Sequence, residues 1–98
     1  MKNTPVEIGI VVIMGRNASG KSFLAHALAS EYIKQGLNVS KFYEDSLLSI
    51  SAMIYAAVRE GANVIIYETL GARSATIKAL KKHQKNGCLF KVIRVGAE

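Results

Sequence analysis

Eight consecutive residues, Gly15-Arg16-Asn17-Ala18-Ser19-Gly20-Lys21-Ser22, have the types and spacing of a phosphate cradle. Two glycines bracket a short polar loop, and a lysine and a hydroxyl residue follow the second glycine directly. Gly15 permits a sharp turn out of a strand. Successive backbone N–H groups in such a loop converge on an anion. Gly20 keeps a Cβ away from the approaching phosphates. Lys21 opens a helix, at the positive end of its dipole, and reaches the terminal phosphates. Ser22 supplies the hydroxyl expected to ligate Mg²⁺, with waters and phosphate oxygens completing the octahedron. The segment expected to hold the ligand is therefore Gly15, Arg16, Asn17, Ala18, Ser19, Gly20, Lys21, Ser22 and Phe23.

A metal-bound phosphate chain needs an acid nearby. Val64-Ile65-Ile66-Tyr67-Glu68 is an apolar run that emerges in a carboxylate, and Glu68 is the only acid in the chain placed this way. Such a group binds Mg²⁺ through water or polarises an attacking water. Arg73 follows at a strand-to-helix turn, where a guanidinium can grip an anion bidentately. The residues expected to carry chemistry are Lys21, Glu68 and Arg73, with Ser22 and Glu68 as the metal pair. The second strand ends in Tyr43-Glu44-Asp45. Glu44 or Asp45 would reach substrate or metal there, since strand ends face the ligand crevice of an open parallel sheet. Asp45 is equally suited to capping the next helix. His26 and His83 have no identifiable partner in the sequence.

The elements that must position these groups alternate. Ile8–Met14 is short, near-continuous and β-branched, as a strand buried on both faces should be. Leu24, Leu28 and Tyr32, with Ala25 and Ala29, recur at helical spacing over Lys21–Gln35, and Gly36 is a fitting stop. A weaker strand is predicted over Asn38–Tyr43. A helix capped by Ser46 is predicted to run to Glu60, with Leu47, Ile50, Ile54 and Val58 on one face. Strands over Ala62–Tyr67 and Leu89–Val95 flank a third helix over Ser74–Asn86. The order βαβαβαβ predicts one α/β domain over residues 1–98: a three-layer α/β/α fold on about four parallel strands. The last strand is expected to leave an open sheet edge, which invites a charged rim or a homodimer.

The eight-residue motif, set between a buried strand and a helix, resembles the Walker A loop of the P-loop nucleoside triphosphate-binding proteins. The resemblance implies a P-loop fold holding ATP or GTP with Mg²⁺. The strand ending in Glu68 looks like a Walker B strand, with Glu where Asp is commoner. Glu68-Thr69-Leu70-Gly71-Ala72-Arg73 is similar to the nucleoside monophosphate kinase segment Asp-Gly-Phe-Pro-Arg, whose arginine grips the acceptor phosphate. It departs from that pattern in a longer acid-to-arginine interval and in lacking the proline. The guanine signature Asn-Lys-x-Asp is absent, which favours adenine.

Composition narrows the partners. The chain has 98 residues, half of them apolar and a fifth charged, which is globular composition. The apolar runs are far shorter than the roughly twenty residues of a membrane span, and Glu7 interrupts the one that would imitate a signal peptide. A lone cysteine, Cys88, excludes an internal disulfide, fits a reducing, cytoplasmic compartment and reads as a small buried hydrophobe. The net charge of +6 is uneven. Residues 1–68 hold six bases and six acids, whereas residues 69–98 hold seven bases and one acid. Lys78, Lys81, Lys82 and Lys85 share one arc of the third helix, a surface suited to a nucleic-acid backbone or simply to solvent. No aromatic residues interleave with these lysines along the helix, so no base-stacking platform is expected.

Three functions are consistent with these features. The first is a Mg-dependent, kinase-like phosphotransferase or NTPase that binds ATP or GTP. The second is a nucleic-acid-binding ATPase that uses the basic final third. The third is a non-catalytic domain that engages another protein, as a compact viral or mobile-element modulator would.

Overall fold

The structure is a computed structural model and describes residues 5–16, 19–44, 49–71 and 74–96. Four strands and three helices alternate: β1 (Gly9–Met14), α1 (Lys21–Lys34), β2 (Val39–Tyr43), α2 (Ile50–Arg59), β3 (Val64–Thr69), α3 (Ser74–Lys82) and β4 (Phe90–Arg94). All strand pairings are parallel, in the order β2-β3-β1-β4. The expected α/β class, with about four parallel strands, is what forms.

Every residue of β1 and of β3 is buried. This follows from helices packed on both faces. On one face Val11, Ile13, Val64 and Ile66 meet Ala25 and Ala29 of α1. On the other, Ile10, Val12, Ile65 and Tyr67 meet Met53, Ile54 and Ala57 of α2 and Leu80 of α3. The small side chains of Ala25 and Ala29 let α1 approach the sheet closely, with Leu24, Leu28 and Tyr32 half-buried beside them.

Several boundaries differ from expectation for identifiable reasons. β3 runs on to Thr69, so Glu68 lies inside the strand rather than beyond it, and is only 3% exposed. The expected Ser46 cap and Leu47 lie outside the described residues. Ser49 caps α2 instead, its hydroxyl accepting from the Ala52 amide at 3.1 Å. The buried stripe of α2 is Met53, Ile54 and Ala57, with Ile50 half-buried and Val58 exposed, so the helix is rotated from the predicted face. α3 ends at Lys82 because the backbone beyond it pairs elsewhere. The Val6 amide donates to His83 O at 3.0 Å, and the Lys85 amide donates to Val6 O at 2.9 Å. Gln84 is buried, and its side-chain amide donates to Ile8 O and Leu89 O. Cys88 is a free thiol, half-buried rather than buried.

The chain leaves β1 towards β2 by a crossover on the α1 face. It then returns through β3 to β4 by crossovers on the other face. A reversal of direction accompanied by a change of face is what one hand of crossover requires. The connections leaving neighbouring strands β1 and β3 therefore diverge, and their carboxyl ends open a crevice.

Candidate functional site

The crevice is built from the residue register of β1 on β3. Met14 stands opposite Thr69 and Ile13 opposite Glu68. The Gly15 amide donates to Thr69 O at 3.1 Å, extending the ladder one step into the loop. Alternation along β3 places Glu68 on the α1 face with Val64 and Ile66, and Tyr67 and Thr69 on the other.

Glu68 thereby meets the start of α1. The Ser22 hydroxyl donates to Glu68 Oε1 at 3.0 Å, although the two residues are 46 apart in sequence. This joins the two side chains that the sequence singled out as a metal pair. Both offer hard oxygen donors. Mg²⁺ in phosphate sites keeps waters and takes one or two protein oxygens besides the phosphates, so this donor set fits it. Among the described residues, no group of three or more His, Cys, Asp and Glu side chains gathers as a cage would require.

The two glycines of the loop are required for different reasons. Gly20 is the N-cap of α1 and adopts φ 93°, a left-handed conformation that costs other residues about 1–2 kcal/mol. Nothing but Val95 Cγ1, at 4.0 Å, would meet a Cβ there. Gly15 has no positive φ; space is what demands it. A Cβ at Gly15 would lie 2.6 Å from Ser19 Oγ and 3.0 Å from Val95 O. The expectation of a sharp turn at Gly15 thus becomes a close approach of three segments: the end of β1, the loop and the end of β4.

The loop returns on itself, with the Ser19 amide donating to Arg16 O at 3.3 Å. No side chain caps α1, so its first amides carry no side-chain acceptor. The Ser19 hydroxyl is buried and has no hydrogen-bond partner among the described residues. An orphaned polar atom of that kind carries a desolvation cost, and a ligand oxygen would relieve it. Lys21 is half-buried, and among the described residues it forms no ion pair. Phe23 is 80% exposed, so its ring takes no part in the packing of the loop. Asn17, Ala18, Asp45 and Arg73 lie outside the described residues. Arg73 is therefore an expectation from sequence alone.

Beside the loop, on the α3 side, lies a cleft of about 370 Å³ lined by Gly15, Arg16, Leu70, Gly71, Arg94 and Gly96, among others. Arg94 was not singled out from the sequence. In β4 it reads as one more solvated base, and only the register of β4 on β1, which sets Arg94 opposite Met14, brings it to the crevice. The Val95 amide donates to Met14 O at 2.8 Å and holds the end of β4 against the loop.

Glu44 takes a structural role rather than facing the crevice as a free acid. The Thr69 hydroxyl donates to Glu44 Oε1 and accepts from the Gly71 amide at 3.2 Å. The Glu44 amide donates to Glu68 O at 2.7 Å. The same carboxylate adds to the effect of burial on Tyr67, and together they push its phenol above the ordinary value. His26 is exposed on α1, and His83 Nε2 shares a 3.3 Å hydrogen bond with the Ser51 hydroxyl.

Among the described residues, no helix is long and apolar enough to cross a membrane. Set against protein-family models, curated proteins and solved structures, the chain matches none of them.

Proposed function

We propose that this chain is a minimal P-loop protein that binds a nucleoside triphosphate with Mg²⁺ and acts on its terminal phosphate, by hydrolysis or by kinase-like transfer. The observation that carries the reading is the Ser22–Glu68 contact at the mouth of the Gly15–Gly20 loop. A hydroxyl at a helix start and a carboxylate on a nearby strand are the kind of oxygen pair a phosphate-bound Mg²⁺ takes; the loop motif singled out Ser22, and the apolar strand singled out Glu68. The orphaned Ser19 hydroxyl supports it, since a phosphate oxygen would satisfy that atom.

In this reading the loop amides and Lys21 hold the phosphates, and Ser22 and Glu68 hold the metal, Glu68 through water. Bound Mg²⁺ neutralises charge that develops on the phosphates. Arg16 and Arg94 border the cleft and supply positive charge from this chain; Arg73 is the sequence's own candidate for the same task. Transfer chemistry requires such charge beyond the loop lysine.

Calorimetric titration of ATP and of GTP, each with Mg²⁺, tests the reading on wild type and on Lys21→Ala. Wild type is expected to bind, ATP the more tightly. The variant is expected to bind at least about tenfold more weakly, the loss of one charge-assisted contact. No binding by wild type, or equal binding by the variant, overturns the proposal. If binding holds, release of phosphate with and without a panel of nucleosides and nucleotides separates transfer from hydrolysis.

A further inference from the structure

The lysine arc of α3 acquires a location in the fold. α3 turns one flank towards α2, where His83 meets Ser51. Its other flank faces β4, where Lys81 Nζ sits 5.4 Å from the centre of the Phe90 ring. Lys78 shares that second flank with Lys81, three residues away, whereas Lys85, expected on the same arc, lies beyond the end of the helix. The lysines therefore stand beside the open edge of the sheet, since β4 pairs only with β1 among the described strands.

The edge strand adds its own cations. Phe90 and Val92 face α3, so Arg94 projects to that side and Lys91 to the other. Lys78, Lys81, Lys91 and Arg94 are all exposed, and among the described residues none forms an ion pair. Lys85 differs, being held by Glu7 at 2.6 Å. No acid lies in α3 or β4. The acids Glu44 and Glu60 lie at the far side of the sheet, beside β2. The band extends from Lys81 over Phe90 to Arg94, about 13 Å of extended strand.

We propose that this β4 edge is a nucleic-acid backbone surface, on which Lys78, Lys81, Lys91 and Arg94 hold neighbouring phosphates of one strand. The recognition is electrostatic and sequence-independent. Phe90 lies half-buried beneath Lys81, so it supports that ammonium rather than stacking on a base.

The test is fluorescence anisotropy with a labelled single-stranded DNA of about 20 nucleotides, longer than the site sizes typical of small single-strand binders. It is run without nucleotide, so its result is independent of the nucleotide reading. Four phosphate contacts on a single strand predict a slope of about −2.8 in log K against log salt, and an affinity loss of about 50-fold between about 50 and 200 mM salt. Lys91→Gln/Arg94→Gln is expected to reduce the slope by about 1.4. Lys34→Gln/Lys41→Gln removes the same net charge from exposed positions on α1 and β2 and is expected to leave the slope unchanged. Lys78→Gln/Lys81→Gln, on the helix, should match the β4 double variant and provides the measurement if that variant fails to fold. No binding at about 50 mM salt overturns the proposal. So does an equal loss in the control pair, which would reduce the effect to net charge.

Discussion

The two edges of the sheet handle polar side chains in opposite ways. Beside β2 several are consumed internally, although Lys41 is exposed. Thr69 donates to Glu44, Ser40 donates to Glu60 Oε1 at 3.0 Å, and the Asn63 side chain accepts from the Asn38 amide at 2.8 Å. Beside β4, Lys91 and Arg94 form no ion pair among the described residues, and Lys81 meets only an aromatic face. Hydrogen bonds satisfied within the fold fix register and contribute stability. Charges left unpaired contribute little stability and remain available to a ligand. The crevice lies between these regimes: Ser22 and Glu68 are paired, and among the described residues Lys21, Arg16 and Arg94 form no ion pair.

That contrast can be broken by substitution. The largest effect is expected from Thr69→Val, which keeps the shape, removes the Glu44 partner and leaves the Gly71 amide without its acceptor. A loss of about 2 kcal/mol is expected, read as a fall of roughly 10 °C in thermal midpoint. An unchanged midpoint would show that the β2 side is not held by these bonds. Ser40→Ala should cost about 1 kcal/mol, since Glu60 is exposed and regains water when its donor is lost. On the opposite edge, Lys91→Gln/Arg94→Gln should alter stability by less than about 0.5 kcal/mol in denaturant titration, as exposed unpaired charges do. A larger loss would mean that these cations are structural after all.

The smallest effect concerns alkaline pH. Burial, and then Glu44, raise the Tyr67 phenol above its ordinary value. The unfolded chain therefore gives up this proton first. The contribution of Tyr67 is intact below about pH 10 and declines as pH rises through the folded value. Tyr67→Phe should lose thermal midpoint less steeply than wild type above about pH 10, and Glu44→Gln should do so by a smaller margin. Parallel curves for all three proteins would sink the assignment.

The part of the fold legible in the sequence was the part governed by local pattern. The Ile8–Met14 strand and the Ala25/Ala29 helix are written in contiguous residues, and they formed close to their expected bounds, as Gly9–Met14 and Lys21–Lys34. Ser22 and Glu68 were each singled out from the sequence as oxygen donors, but their direct hydrogen bond was not. What escaped depends on register and on contacts between elements. Ser49 and Ser46 are equally good caps by residue type. Glu68 continues β3 rather than ending it, because β2 supplies a partner at Glu68 and β1 supplies one out to Thr69. Phe90 beneath Lys81, and Arg94 beside the loop, are juxtapositions that no spacing along the chain encodes.

The central position of β1 has a consequence for how the protein is made. Of the four described strands β1 is made before the others, yet it is flanked by β3 and β4, the latter ending at Arg94. Ile8–Met14 therefore has no strand partner until β3 is made, 55 residues separating Gly9 from Val64, which at about 5–20 residues per second is several seconds. Parallel pairing across such separations closes slowly and exposes apolar surface meanwhile. The sheet assembles inside out only after most of the chain exists, and the segment that must wait is the one that carries the phosphate loop.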